Sequence, residues 1–172
     1  FEAQKNWVQH SNGQGWVNKK AEIDSTVYIG ENAIVFSGVL SGNAQVSGYA
    51  QVFGYARVSD NAQVFGYAQV SGYAQVFGYA QVFGDAQVFG NARVFGDAQV
   101  FGNARVFGDA RVSGDAWEKS PLFIIGSKHS ISEPKKGFIQ IGCKCESSEW
   151  WLSDNGLSFA KENSYSDAEI EE

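Results

Sequence analysis

Ala80-Gln-Val-Phe-Gly-Asp85, Ala86-Gln-Val-Phe-Gly-Asn91 and Ala92-Arg-Val-Phe-Gly-Asp97 are three hexads in a row, and they decide the fold. The same phrase runs twelve times from Ala44 to Asp115: Ala, Gln or Arg, Val, Phe or Ser, Gly, then Tyr, Asn or Asp. Asp60 stands once in the Gly slot. A fixed period sets the architecture before any local propensity does. A helix is excluded, because a step of six is about 600° of rotation at ~100° per residue and successive Val would drift around the axis. In an extended segment, side chains two apart share a face. Ala, Val and Gly therefore form a small apolar face, and Gln/Arg with Phe/Ser form the other. Gly followed by Tyr, Asn or Asp is turn punctuation. Short strands that turn every six residues around one inward Val bury their apolar side only by stacking coil on coil, which makes a solenoid.

The hexads resemble those of hexapeptide-repeat parallel β-helices, with an aliphatic residue such as Val82 or Val88 followed four residues on by a small one, Ala86 or Ala92. The resemblance implies an all-β solenoid, a left-handed parallel β-helix with three hexads per coil and about five to six coils. The step extends backwards through Val17, Ile23, Ile29 and Val35, with Ala21 and Ala33 at the small position. From Val35 to Leu40 it shortens by one, which predicts an irregularity near Phe36–Val39.

Three regions follow: an N-terminal cap at 1–15, the β-helix at 16–116, and a small α+β C-terminal domain at 117–172. Open solenoid ends need cover, and Trp7, Trp16 and Trp117 are the cap residues expected to give it. In the tail, Phe123–Ile125 and Phe138–Ile141 read as strands, and two residues on one side of a strand at Cys143 and Cys145 suit a buried pair. Ser148–Ser153 reads as a short helix with Gly156 beyond its end. Ser166-Asp-Ala-Glu169 reads as a capping box opening a final helix truncated by the chain end. With Ile139-Gln-Ile-Gly-Cys143 and Tyr165-Ser-Asp-Ala-Glu-Ile170, the chain looks like uncharacterised hexapeptide-repeat proteins of bacteriophages and prophages.

The 172 residues carry a net charge of −6 and no Met, so the chain reads as a fragment or a processed product. No apolar run is long enough to span a membrane, and two Cys make no disulfide framework. Residues 44–116 hold four Arg and five Asp, and 117–172 hold six Lys and ten acids. A broad nucleic-acid-binding surface is therefore not expected. The expected setting is a bacterial cytoplasm or a virion.

The best-known enzymes of this fold transfer acyl or acetyl groups with a His base, usually near a loop that interrupts the repeat. Here the repeats hold no His; His10 precedes them and His129 follows. Acyl transfer is the first alternative reading, and a phage ligand-sequestering or anti-defence binding protein is the second. Cys143, Cys145 and His129 fit zinc spacing poorly, and the coils lack the flat Thr array of an ice binder. No catalytic residue, metal or cofactor is expected.

The outward aromatics are what a generic hexad does not require. Phe53, Phe65, Phe77, Phe83, Phe89, Phe95, Phe101 and Phe107 alternate with Ser at 47, 59, 71 and 113. With three hexads per coil, residues eighteen apart stack. One face then carries Ser47, Phe65, Phe83 and Phe101, the second Phe53, Ser71, Phe89 and Phe107, and the third Ser59, Phe77, Phe95 and Ser113. These Phe columns either stiffen the coil by ring stacking or form an interaction surface for self-association, a homotrimer included, or for another protein. On the third face, Arg57, Arg93 and Arg111 are placed to lie over Phe. Corners are Tyr at 49, 55, 67, 73 and 79, and Asp or Asn from 85 onward, so the first half reads as the stickier one. The leading expectation is a non-catalytic structural or interaction module.

Overall fold

The computed structural model describes residues 6–114, 116–117, 119–125 and 129–165, with 123–125 and 130 described by backbone alone. The expected final helix at Ser166 lies outside them.

The hexads build three parallel sheets wound as a solenoid of about six coils. Sheet I contains β1 (Trp7–Gln9), β2 (Trp16–Asn18), β5 (Ile34–Val35), β8 (Gln51–Val52), β11 (Gln69–Val70), β14 (Gln87–Val88) and β17 (Arg105–Val106). Sheet II contains β4 (Tyr28–Ile29), β7 (Gln45–Val46), β10 (Gln63–Val64), β13 (Gln81–Val82), β16 (Gln99–Val100) and β19 (Ala116–Trp117). Sheet III contains β3 (Ala21–Ile23), β6 (Gly38–Leu40), β9 (Arg57–Val58), β12 (Gln75–Val76), β15 (Arg93–Phe95) and β18 (Arg111–Ser113). Gln63 pairs with Gln81 and Val64 with Val82, so one coil is eighteen residues.

Every repeat Val and Ala is buried, and together they form one continuous core. The repeat Ala, one residue before each strand, is fully enclosed. Backbone groups are spent between coils: Gln63 N–H donates to Ala80 C=O (2.9 Å), Phe65 N–H to Val82 C=O (2.9 Å) and Tyr67 N–H to Gly84 C=O (2.8 Å). The corner Gly is required twice over at Gly66, with φ +72° and a would-be Cβ 2.9 Å from the Gly84 nitrogen. Asp60 adopts φ +61° in the same slot, and its carboxylate accepts from Gly78 N–H at 3.0 Å.

The irregularity falls where the step shortens. Ile34 pairs with Gln51 and Ile23 with Leu40, both seventeen apart. Gly38 takes the Ala position, pairing with Ala21. At φ +113°, its would-be Cβ is 2.6 Å from the Ala56 carbonyl oxygen, so the two-residue corner tolerates no side chain there. Ser37 Oγ donates to Gly54 C=O at 2.8 Å.

At the front, β1 runs antiparallel to β2, with Val8 opposite Val17, and covers the edge of the first coil. Trp16 does not lie over the opening; it is 46% exposed on the outer side of β2, while Val17 points in. At the back a second seventeen-residue step sets Trp117 on Val100, so Trp117 fills the last inward position and is 4% exposed. Ala116 pairs with Gln99 and is exposed, so it is not a small core residue.

The tail is an antiparallel sheet of β20 (Phe123–Ile125), β21 (Ser130–Lys135), β22 (Phe138–Ile141) and β23 (Lys144–Ser147), followed by α1 (Ser148–Trp151) and α2 (Asp154–Glu162). β21 lies beside β18, and Ser120 Oγ accepts from Arg105 N–H of the edge strand β17 at 2.9 Å. Two strands are thus added to the expected pair. Gly156 lies beyond the end of the short helix α1 as expected, but inside a second helix, α2, where it is buried with the Trp151 carbonyl against its would-be Cβ. The Cys expectation also changes: Cys143 lies in the turn before β23, and both Cys143 and Cys145 are exposed and free.

Candidate functional site

The outward positions form columns, because hexads three apart lie on one another. Phe65, Phe83 and Phe101 stack on sheet II with centroids 4.8 and 5.1 Å apart and planes within 7°. Phe77 and Phe95 stack on sheet III at 5.3 Å. On sheet I, Phe89 and Phe107 stack at 5.5 Å. The third column continues further: Phe53 meets Phe36 edge-on at 6.4 Å, and Phe36 meets Trp7 edge-on at 5.2 Å. Phe36 reaches this column because the short corner moves it one place.

Stacking consumes much of the phenylalanine surface. Phe53, Phe65, Phe77, Phe83, Phe89, Phe95 and Phe101 are half-buried, and Phe107, at the end of its column, is 38% exposed. The most exposed aromatics are the corner tyrosines, up to 69% at Tyr55. Tyr49 stacks on Tyr67 (5.2 Å, 7°), and Tyr55 stacks on Tyr73 (5.0 Å, 10°). These two columns are the edges on either side of sheet I, because Tyr49 precedes β8 and Tyr55 follows it. Sheet I and its edges therefore gather Trp16, Phe36, Phe107 and four of the tyrosines, which are all among the exposed large apolar side chains.

Among the described residues, sheet I with its edges holds more of the exposed aromatic side chains than either other sheet with its own. The eighteen-residue step gives both the Phe partners and the tyrosine edges from sequence; Phe36 joins this face through the seventeen-residue step at the short corner. The Arg expectation is corrected as well. The guanidinium over a phenylalanine is that of Arg105, 5.2 Å from Phe89 on sheet I, rather than Arg57, Arg93 or Arg111 on sheet III.

The other candidate groups are dispersed. His10 Nδ1 engages the backbone of Asn12. His129 Nδ1 and Tyr165 Oη are 2.6 Å apart in the tail. Among the described residues no group of three His, Cys, Asp or Glu is placed to hold a metal. A shallow cavity of about 250 Å³ between the last coil and the tail is lined by Trp117, Lys119, Ser120, Glu133 and Lys136.

With the coil geometry in hand, a family model for the YdcK β-solenoid repeat matches residues 56–72, 86–100, 98–114 and 104–119. Over these segments the repeat array is similar to the YdcK β-solenoid repeat. The matched segments run from the middle of the solenoid to its last rung. They hold the repeat geometry and bring no activity with them. No curated protein and no solved structure matches the chain.

Proposed function

We propose that this solenoid is a non-catalytic structural and interaction module whose contact surface is sheet I with its two tyrosine edges. The observation that carries the reading is the gathering of Trp16, Phe36, Phe107 and the Tyr49–Tyr67 and Tyr55–Tyr73 stacks around one rigid face. An aromatic face held flat by coil-to-coil hydrogen bonds loses little side-chain freedom on contact, which favours association. Exposed apolar surface of this breadth marks interaction sites more often than it decorates monomers. The resemblance of the hexad array and its tail together to phage and prophage hexapeptide-repeat proteins favours a virion or host-cytoplasm setting.

Photo-crosslinking tests the reading. Benzoylphenylalanine replaces Phe107 on sheet I, Gln45 on sheet II or Arg93 on sheet III in the cells that make the protein. Crosslinked protein adducts are expected from position 107 and not from 45 or 93. Equal yields from all three, or none from 107, contradict the contact face. Binding heat on titration with acetyl-CoA contradicts the non-catalytic reading.

A further inference from the structure

The two edges of sheet I share one order. The first reads Tyr49, Tyr67, Asp85, Asn103 along successive coils; the second reads Tyr55, Tyr73, Asn91, Asp109. The third edge breaks it, with Asn43, Asn61, Tyr79 and Asp97. Each sheet I edge is thus half phenol and half carboxylate or amide, at the same coil spacing. We infer that the partner of sheet I is a second copy of this chain, packed face to face and antiparallel about a twofold axis between β11 and β14. The inference rests on the reading of sheet I as the contact face.

A twofold axis along the strand direction keeps each edge against its own copy and reverses the coil order. Tyr67 then meets Asp85 of the partner subunit, and Tyr49 meets Asn103 of the partner subunit. On the other edge Tyr73 meets Asn91 of the partner subunit, and Tyr55 meets Asp109 of the partner subunit. A phenol O–H donating to a carboxylate is a charge-assisted hydrogen bond. Equal coil spacing on both copies lets the four rungs from β8 to β17 match at once. Arg105 falls opposite Gln51 of the partner subunit, so no like charges oppose within these four coils.

The parallel alternative sets tyrosine rows against tyrosine rows. It also brings together, at one end, two tails that each hold six Lys against ten acids; antiparallel packing keeps them at opposite ends. A sugar ligand is a poorer fit, because the tyrosine planes lie 7° and 10° apart and cover one another's faces, leaving edges and hydroxyls outward. Four coils at ~4.8 Å by a strand and corner of ~20 Å give on the order of 400 Å² per partner, the size of a transient rather than permanent interface.

The test uses the full chain with Cys143→Ser and Cys145→Ser, at high protein concentration. Tyr49→Cys and Asn103→Cys variants are oxidised separately and mixed. Antiparallel pairing predicts a disulfide-linked dimer in the mixture and little in either variant alone. A dimer from a Tyr49→Cys and Tyr55→Cys mixture instead indicates parallel packing and overturns the inference, as does sedimentation of the unmodified chain as a monomer throughout. Tyr49, Tyr55, Tyr67 and Tyr73 all replaced by Asp should yield monomer with an unchanged far-UV spectrum; a persistent dimer overturns it too. Crosslinking in cells from position 107 to a different protein alone leaves the contact face standing and removes the self-pairing.

Discussion

Trp117→Ala is expected to destabilise the solenoid by about 3–5 kcal/mol, in the range found when a large aromatic is removed from a core. Trp117 occupies the last inward position, paired with Val100 and 4% exposed. A solenoid coil has neighbours on two sides, but the last coil has the cap on one. Truncation there leaves a hole where the last coil meets the tail, with no further coil to fill it, and unfolding starts from that end. The indole Nε1 is buried with no hydrogen-bond partner among the described residues. Such a group costs about 1–3 kcal/mol to bury. Trp117→Phe removes that penalty while keeping an aromatic ring, so it should lie within about 1 kcal/mol of the unmodified protein. Urea unfolding followed by far-UV circular dichroism separates the two. An alanine variant as stable as the phenylalanine variant contradicts the assignment of Trp117 as the closing rung.

Val70→Asp is expected to cost more than about 4 kcal/mol, because it places a charge in an apolar core with no partner. Val70 lies in β11 at zero exposure, between Val52 and Val88 of the adjacent coils. Its neighbour Gln69 points outward, and Gln69→Glu should change stability by no more than about 0.5 kcal/mol. Contacts in a repeat array are made only to adjacent coils. The Asp variant should therefore lose amide protection first in β8, β11 and β14, with the two ends of the array retaining more. Hydrogen exchange read by mass spectrometry reports this directly. Uniform loss along the whole chain, or equal tolerance of both substitutions, contradicts the inward and outward assignment.

The solenoid was legible because each hexad repeats the same instruction: small residue, inward Val, turn Gly. Even the irregular corner was readable, since Val35 to Leu40 is a step of five. Its consequence was not, because a strict eighteen-residue step aligns Phe53 with Val35 rather than Phe36. The column from Trp7 through Phe36 to Phe53 exists only once Gly38 has closed the shortened corner. The balance between Phe and Tyr was also hidden. Phe side chains on flat strands lie down on one another, whereas Tyr at the corners projects, so the residues named first from sequence are the less exposed ones.

The tail was less legible, for local reasons. β21 is Ser-Ile-Ser-Glu-Pro-Lys, a sequence with little strand propensity. Its Pro134 sits where the register shifts between Ser132 and Lys135, a place where a strand tolerates a missing N–H. Gly156 read as a helix terminator because Gly usually is one. Here the close approach of the Trp151 carbonyl requires it inside α2. Nothing in the local pattern distinguishes these two uses of glycine.

The contact-face account is tested most directly by hydroxyl-radical footprinting of the tyrosines, comparing dilute chain with chain at high concentration. Tyr49, Tyr55, Tyr67 and Tyr73 border sheet I, while Tyr28 on sheet II and Tyr79 on the third edge are exposed elsewhere and serve as internal controls. The account predicts that concentration protects the first four tyrosines and leaves Tyr28 and Tyr79 as reactive as before. Equal protection of all six, or unchanged reactivity at Tyr49, Tyr55, Tyr67 and Tyr73, would contradict it.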